Sequence, residues 1–440
     1  METIYALSSA QGRAGVAVIR ISGRDTAAAV EALTGRGPGA PRMAELRHFR
    51  DPADGAPLDQ GLLIWFEGPR SFTGEDVAEL HLHGGRAVVA GMLAALGRLP
   101  GLRVAEPGEF TRRAFENGKL DLTAAEGLAD LIDAETSAQR RQALRQMEGA
   151  LGALYEGWRG RLIRVLAYAE AEIDFPDEEE VPGDLTSQLQ PEILALLSEM
   201  RAHLDDGGRG ERLREGVEVA IVGPPNVGKS SLLNRLARRE AAIVSDEAGT
   251  TRDVLEVRLD LGGVPVTLAD TAGLREAAGA IEREGVKRAL ARAEVADLRI
   301  VVVGLRPDGG LEGDFGLARA GDLKVINKAD LGPCDDVGAI AVSAATGTGL
   351  EAFEVALARE VASRFEASEH PVITRSRHRE GLRACVEALD RALDALRAGR
   401  ATELVAEDLR LAARSLGRIT GRVDVEDLLD VVFRDFCIGK

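Results

Sequence analysis

The stretch Gly223-Pro224-Pro225-Asn226-Val227-Gly228-Lys229-Ser230 constrains this chain more than any other. It follows an apolar run, Val217 to Val222, broken only by Glu218, and precedes a helical pattern carrying Leu232, Leu233, Leu236 and Ala237. Strand, glycine-rich turn and helix form the setting that a phosphate-binding loop needs. Amide groups of such a turn and the positive end of the helix face phosphate oxygens. Lys229 is spaced to reach the outer phosphates, and the Ser230 hydroxyl to ligate magnesium. The competing reading is a glycine turn between two strands with no ligand.

Three later motifs weigh against that simpler reading. Asp270-Thr271-Ala272-Gly273 closes a second apolar strand, which puts a carboxylate beside the magnesium and a glycine N–H near the terminal phosphate. Asn327-Lys328-Ala329-Asp330 closes a third, Leu323 to Ile326. Asp330 can accept from a ring N–H and an exocyclic amine together, a pair that guanine presents and adenine does not. Ser343-Ala344-Ala345, after Ala339 to Val342, fits a loop over the base. Four elements in one order, each at a strand end, point to GTP.

At 440 residues the chain has room for two to four domains, each with its own core. The net charge of −17 and an aromatic content of 4% argue against a protein that coats nucleic acid alone, so any RNA contact needs a local basic patch or a partner. Cys334, Cys385 and Cys437 are far apart and show neither a disulfide framework nor zinc spacing. Cys385 shares an apolar helical stripe with Leu382, Val386 and Leu389, a core position. No basic or apolar leader and no run of membrane-spanning length is present, so the expected location is cytoplasmic, with no membrane association.

Residues 1 to about 118 read as mixed α/β, with strands at Ala14 to Ser22 and Gly61 to Phe66. Val77 to Leu82 alternates, so Glu79 and His81 share one face and Ala78, Leu80 and Leu82 the other. That polar face is either solvated or part of a site, since the strand runs into His83-Gly84-Gly85, where backbone can approach a ligand. From Lys119 the pattern is helical. Thr123-Ala124-Ala125-Glu126 reads as a capping box, and Leu144 to Ile173 as one long amphipathic helix ended by Phe175-Pro176. Asp177 to Glu180 reads as a solvated loop, 190 to 204 as a helix, and Asp205 to Gly210 as a linker. After the nucleotide domain, Glu380 to Leu396, Leu404 to Leu416 and Val425 to Phe436 are helical. Neither helical block looks self-sufficient, so the expected architecture is multidomain, α/β plus all-α: one helical bundle built from two chain segments, with a Ras-like P-loop GTPase domain inserted.

The Pro-Asn of the phosphate loop resembles that of Era-like bacterial GTPases. Thr73-Gly74-Glu75-Asp76, His83-Gly84-Gly85, Glu106-Pro107-Gly108-Glu109-Phe110-Thr111, Asn117 to Leu122, Gly249-Thr250-Thr251-Arg252-Asp253 and Phe436-Cys437-Ile438-Gly439-Lys440 resemble the MnmE (TrmE) family of tRNA-modifying GTPases over essentially the whole chain. The resemblance implies an N-terminal folate-binding and dimerisation domain (1–118), a helical domain in two parts (119–212 and 367–440) and a G domain (213–366).

It also implies a reaction with the flavoprotein MnmG, in a heterotetramer or larger assembly, on the wobble uridine of certain tRNAs. An aminomethyl or carboxymethylaminomethyl group is added at ring carbon five, with a methylene- or formyl-tetrahydrofolate as carbon source and FAD on the partner. Folate contacts fall on Arg20, Glu79, Lys119 and Lys440. Arg20 and Lys119 suit the glutamate carboxylates, and Glu79 the pterin amine and ring N–H. Cys437 is either a catalytic thiol or a packing residue beside Phe436 and Ile438.

Many GTPases orient the attacking water with a glutamine just after D-x-x-G, but Leu274 stands here. The resemblance assigns that work to Glu282, which without it reads as a surface helix residue. It puts GTP contacts on Asn226, Val227, Gly228, Lys229, Ser230, Ser231, Ser245, Thr250, Thr251, Asp270, Thr271, Ala272, Gly273, Asn327, Lys328, Asp330, Ser343, Ala344 and Ala345. Magnesium falls to Ser230 and Thr251, and potassium to Asn226, Ser245, Glu247 and Thr250, where a cation offsets developing charge. A homodimer through the N-terminal domain and GTP-dependent G-domain pairing are also implied. The alternative is an Era-like switch GTPase in ribosome assembly with no modification chemistry.

Overall fold

The computed structural model describes residues 2–174, 185–238, 256–270, 294–316, 318–334, 338–365, 371–423, 426–434, 436 and 438–439. They fall into two compact units, one of residues 1–129, 146–193 and 387–440, the other of 130–145 and 194–386.

The first unit holds a six-stranded sheet built from β1 (Thr3–Leu7), β2 (Ala14–Ser22), β3 (Ala44–Arg50), β4 (Pro57–Phe66), β5 (Val77–Gly84) and β6 (Leu102–Val104), in the order β3-β4-β5-β2-β1-β6. Neighbours run antiparallel except the β1–β6 pair. Helices α1 (Thr26–Thr34) and α2 (Arg86–Gly97) lay Val30, Leu33, Met92 and Leu96 against Ile19, Ile21, Leu80 and Leu82 of the sheet. That burial explains the alternation of β5, whose other face carries the half-buried Glu79 and His81. The glycine of His83-Gly84-Gly85 serves the sheet itself, because a Cβ on Gly84 would lie 2.4 Å from the Ala14 carbonyl oxygen on β2. His83 is tied to β4 by its Nδ1, 2.8 Å from Asp59 Oδ1.

Helices come next along the chain: α3 (Glu109–Glu116), α4 (Leu122–Asp133), α5 (Ser137–Met147), α6 (Ala150–Asp174), α7 (Leu185–Leu204) and α8 (Arg209–Glu215). Two expectations are corrected. Asp121, not Thr123, caps α4, its Oδ1 accepting from the Ala124 N–H at 2.8 Å and from the Thr123 hydroxyl at 2.7 Å. Thr123 is fully buried inside the first turn. The helix expected over Leu144 to Ile173 is two, because Gly149 at φ +89° adopts the left-handed conformation that ends one and starts the next. α6 is described as far as Asp174, and the residues from Phe175 to Glu180, where the sequence places the helix end, lie outside the described ones. Residues 402–420 form a helix along α6, with the Thr420 hydroxyl donating to Glu156 at 2.6 Å.

The second unit is built on a seven-stranded sheet. Its strands are β7 (Val217–Val222), β8 (Glu256–Leu261), β9 (Val264–Asp270), β10 (Leu298–Leu305), β11 (Leu311–Glu312), β12 (Leu323–Asn327) and β13 (Ile340–Ala341). Their order is β13-β12-β10-β7-β9-β8, with β11 beside β10. All pairs are parallel except β8–β9 and β10–β11. Central strands of such a sheet are covered on both faces, which is why β7 and β10 are nearly continuous apolar runs, interrupted near their starts by Glu218 and Arg299. Val219 and Ile221 enter the core on one side, with α9 (Lys229–Leu236) and the helix 350–365, while Ala220, Val222 and Val301 enter a smaller core on the other. The strand order reverses at β7, whose neighbours β9 and β10 lie on opposite sides. Loop 223–228 leaves the sheet at that reversal, where an open α/β sheet forms its ligand crevice.

Residues 130–145 belong to this unit. Ala138 joins its main core, Arg258 Nη1 lies 3.0 Å from Glu135 Oε1, and a Cβ on Gly263 would approach Ser137 Oγ to 3.0 Å. Cys385 is fully buried beside Met200, and burial pushes its thiol up to about 12, so it is an inert core residue as its stripe implied. Among the described residues no helix is long and apolar enough to cross a membrane.

Leu268 of β9 is fully buried in the main core. Leu268→Ala should cost about 2–5 kcal/mol, measured as faster hydrogen exchange of the β7 and β10 amides. Exchange at wild-type rates would contradict the core placement.

Candidate functional site

Loop 223–228 is shaped by backbone conformations and close approaches. Gly223 packs on β10 so tightly that a Cβ would stand 2.1 Å from the Val302 carbonyl oxygen. Asn226 (φ +65°) and Gly228 (φ +90°) are left-handed, which Asn tolerates and Gly adopts freely. These turns bring the loop back over the start of α9. Lys229 is buried, and its Nζ donates to the carbonyl oxygens of Gly223 at 2.9 Å and Pro224 at 2.6 Å. A buried ammonium inside a turn at a helix N-terminus is poised for an anion. Ser230 and Ser231 lie in the first turn of α9, the first half-buried and the second exposed.

Asn327 ends β12 and is almost fully buried. Its Nδ2 donates to Val227 O at 2.9 Å and Gly228 O at 3.3 Å, and its Oδ1 accepts from Ala344 N at 3.0 Å. One side chain therefore joins the phosphate-type loop to segment 343–345. Gly228 is required for it, since a Cβ there would fall 2.4 Å from Asn327 Nδ2. Motif spacing had placed Asn327 at the base, and nothing in the sequence pointed to this brace.

The rest of that edge is ordered from the same strands. Lys328 (φ +65°) pairs through Nζ with Glu312 Oε2 at 2.8 Å, and that hydrogen bond holds the Glu312 carboxyl below its usual range. Glu312 escaped the sequence reading because β11 is only two residues long. The Ser343 hydroxyl, fully buried, donates to Asp330 Oδ1 and accepts from Thr346 N at 3.1 Å. Asp330 is thus aimed by Ser343, next to Ala344 and the exposed Ala345. Asp270 ends β9 opposite Ile221 of β7, two residues before Gly223. Its side chain lies outside the described residues, as do Ser245, Glu247, Thr250, Thr251, Thr271, Ala272, Gly273, Glu282, Cys437 and Lys440. Among the described residues no cluster of three or more His, Cys, Asp or Glu is arranged to hold a metal.

A second polar centre lies on the face of the N-terminal sheet away from α1 and α2, beside the small core of Ile4, Ala6 and Phe110. Arg20 and Glu79 are cross-strand partners, and Arg20 Nε and Nη2 donate to Glu79 Oε1 at 3.1 and 2.8 Å. The guanidinium stands 5.5 Å from the Phe72 ring centroid and 5.7 Å from that of Phe110, within cation–π range. His81 Nε2 is 3.3 Å from Glu79 Oε2. Lys119 Nζ donates to Pro69 O at 2.6 Å, on the loop that carries Phe72.

Beneath that loop runs a network that no spacing announced. The Ser22 hydroxyl lies 2.7 Å from Glu75 Oε2 and 2.7 Å from Thr73 Oγ1. Arg113, almost fully buried, bridges Glu75 at 3.0 Å and Glu109 at 2.8 Å, and Arg103 closes on Glu109 at 2.6 Å. Burial raises the Glu109 pKa, but hydrogen bonds from Arg103, the Glu106 N–H and Arg113 outweigh it and leave the carboxyl below its usual range.

A family model described as the GTP-binding protein TrmE N-terminus matches residues 3–119, and one described as the MnmE helical domain matches 122–437. The chain belongs to the MnmE family. A relative from Parvibaculum lavamentivorans, named tRNA modification GTPase MnmE, is 74% identical over 100% of both chains. Relatives of the same name from Paramagnetospirillum magneticum and Rhodospirillum rubrum are 56% and 55% identical, also over 100% of both chains. In this MnmE-family chain the N-terminal match contains Arg20, Glu79 and Lys119, and the helical-domain match spans the phosphate-type loop.

Asn327→Ala removes three hydrogen bonds and orphans the buried Val227 carbonyl. It should weaken guanine-nucleotide binding at least tenfold, from about 1–3 kcal/mol per unsatisfied group, measured by fluorescent-nucleotide titration. Unchanged affinity would refute the brace. Glu109 has a lowered folded-state pKa, so its stabilisation is present above the unfolded value of about 4.3 and lost as pH falls through the folded value. Glu109→Gln should therefore lower the melting temperature at pH 7, with the deficit shrinking below about pH 4.

Proposed function

We propose that this chain is a GTP-hydrolysing enzyme of tRNA modification. The carrying observation is the 74% identity, over the full length of both chains, to a protein named tRNA modification GTPase MnmE. The reading is supported by the burial of Lys229 within loop 223–228, the Asn327 link from that loop to segment 343–345, and the Ser343 bond to Asp330. Lys229 offers its ammonium to the outer phosphates, and α9 adds its positive end. Asp330, aimed by Ser343, accepts from the guanine N–H groups. Lys328 and Ala344 border the base.

On this reading magnesium would be held by the hydroxyls of Ser230 and Thr251, and potassium by Asn226 with Ser245, Glu247 and Thr250; bound there, the two cations would offset charge on the phosphates. Asp270 supports the magnesium side, and Glu282 orients the water. The segments carrying Thr251 and Gly273 would be ordered by the terminal phosphate and released on hydrolysis.

The N-terminal centre suits a reduced folate. Glu79 is an acceptor for the pterin amine and ring N–H, and Arg20 and Lys119 are cations for the glutamate carboxylates, with Lys440 completing the set. Arg20 is paired with Glu79, so a ligand that engaged both would exchange one ion pair for two contacts. The substrate on this reading is the wobble uridine of certain tRNAs, modified at carbon five with a tetrahydrofolate carbon. MnmG with FAD is the partner in a heterotetramer or larger assembly, and Cys437 is a candidate thiol. The arrangement is a cytoplasmic homodimer through residues 1–118, with a helical domain of 119–212 and 367–440 and an inserted G domain, 213–366, that pairs on GTP. The family match over 3–119 favours this reading over a bare Era-like switch, which has no need of a folate pocket.

The test is GTP hydrolysis in potassium against sodium at matched ionic strength, alongside uridine modification with the flavoprotein. Turnover should rise at least tenfold in potassium, and Asn226→Ala should abolish the difference. Equal rates in both salts would sink the potassium mechanism, and absent modification would leave the switch reading.

A further inference from the structure

Three cations gather at loop 67–72, the loop that carries Phe72. Arg42 stands just before β3 at φ +64°, its N–H donating to Trp65 O at 2.7 Å. Its guanidinium lies 5.8 Å from the Phe66 ring centroid, and its Nη2 donates to Arg70 O. Lys119 Nζ donates to Pro69 O, the carbonyl one residue earlier, at 2.6 Å. Arg70 adds a third charge from the loop itself and is exposed.

Two of the three are held by more than their own backbone. A Cβ on Gly74 would lie 3.5 Å from Lys119 Cδ and 3.1 Å from Asn117 Cβ, so the lysine stem runs along that glycine. Asn117 Nδ2 donates to Thr73 O at 2.7 Å, which ties the Lys119 segment to the same loop. Arg42 is placed between the Phe66 ring and the Arg70 carbonyl. Cations fixed in this way lose little side-chain freedom when they meet an anion.

The patch shares its sheet face with the Arg20–Glu79 centre. Ile64 pairs with Glu79 and Phe66 with Val77, so Phe66 stands on the face of Glu79, one step further along β4. Phe72, whose ring meets the Arg20 guanidinium, follows Arg70 by two residues. Among the described residues none of Arg42, Arg70 and Lys119 is in an ion pair, although the chain as a whole carries a net charge of −17. Set against the exposed Glu67 of the same loop, three cations leave the patch positive. Like charges brought together oppose folding, so the fold alone does not call for this grouping.

We propose that Arg42 and Arg70 extend the folate site into a subsite for an oligo-γ-glutamate tail, so that the chain selects folates carrying more than one glutamate. The inference rests on the folate reading above, in which Lys119 meets the glutamate carboxylates and so marks the tail end of the ligand. Each further glutamate in γ-linkage adds one carboxylate, the partner that these side chains lack. A guanidinium presents a planar fork to such a group. The tail is favoured over an RNA phosphate because Lys119 belongs both to the folate set and to this patch.

The experiment titrates the full chain with 5-formyl-tetrahydrofolate as monoglutamate and as triglutamate, by calorimetry. Wild type is compared with Arg42→Gln, Arg70→Gln, the double variant and Arg42→Lys. Wild type should bind the triglutamate about fivefold tighter, the scale of two exposed charge pairs. That advantage should shrink in about 0.5 M salt. Each glutamine variant should reduce the ratio of the two dissociation constants, and the double variant should remove the preference. Arg42→Lys, which keeps the charge, should retain part of it. Melting temperatures should match that of wild type, because both side chains are exposed.

Equal affinity of wild type for the two folates would overturn the subsite, as would a triglutamate preference that survives in the double variant. Weaker tRNA binding by the double variant, with the preference intact, would overturn it in favour of RNA. A wild type that binds neither folate would defeat the folate reading itself, and the subsite with it.

Discussion

The side-chain amide of Asn327 is the constraint on which the nucleotide-binding edge depends. It contributes both donor hydrogens to carbonyl oxygens of loop 223–228 and its oxygen to an N–H of segment 343–345. Two loops from different strands are thereby held at one spacing, and each buried polar group at the joint has a partner. On the proposed reading the two loops bind opposite ends of one nucleotide, and such a common reference keeps phosphate and base contacts aligned. The left-handed Gly228, with no Cβ, lets the amide come close enough.

The N-terminal unit uses the opposite device. Its sheet packs one face on α1 and α2 and carries on the other, beside the small core of Ile4, Ala6 and Phe110, a hydrogen-bonded polar row, Arg20 with Glu79 and His81. Rings from a loop and a helix, Phe72 and Phe110, flank the guanidinium. Those rings are fixed in turn by Arg113, Glu75, Glu109 and Arg103, a network in which each charge is matched and hydrogen-bonded. A buried arginine unmatched in this way would be costly, so loop 67–76 and helix α3 are held together as one support.

Much of this was legible in the residues. The apolar runs Val217 to Val222 and Leu323 to Ile326, the glycine turn and the three later strand-end motifs marked β7, β9, β12, β13 and their ends. Alternation in Val77 to Leu82 separated the core face from the polar face, and Cys385 lay on its stripe as expected. Errors came where local signals compete. Asp121 and Thr123 both look like caps, and only the packing of Thr123 into the interior decided for Asp121. Apolar periodicity runs on across Gly149, and a left-handed turn there leaves that period intact in sequence while breaking the helix in space.

By itself the sequence determined the local elements and their chemistry, since period, turn residues and motif spacing act over a few neighbours. Motif spacing pointed to Lys229 and Asp330, alternation put Glu79 on a polar face, and the role expected of Arg20 came from the family resemblance. Only the tertiary structure decided what each one touches. Asn327 as a brace, Glu312 beside Lys328, the Ser22–Glu75–Arg113 network and the approach of Arg42 and Lys119 to loop 67–72 are all contacts between residues distant in the chain. Such contacts depend on strand order and on which glycines leave room for backbone to meet backbone, and neither has a signature in a single stretch of residues.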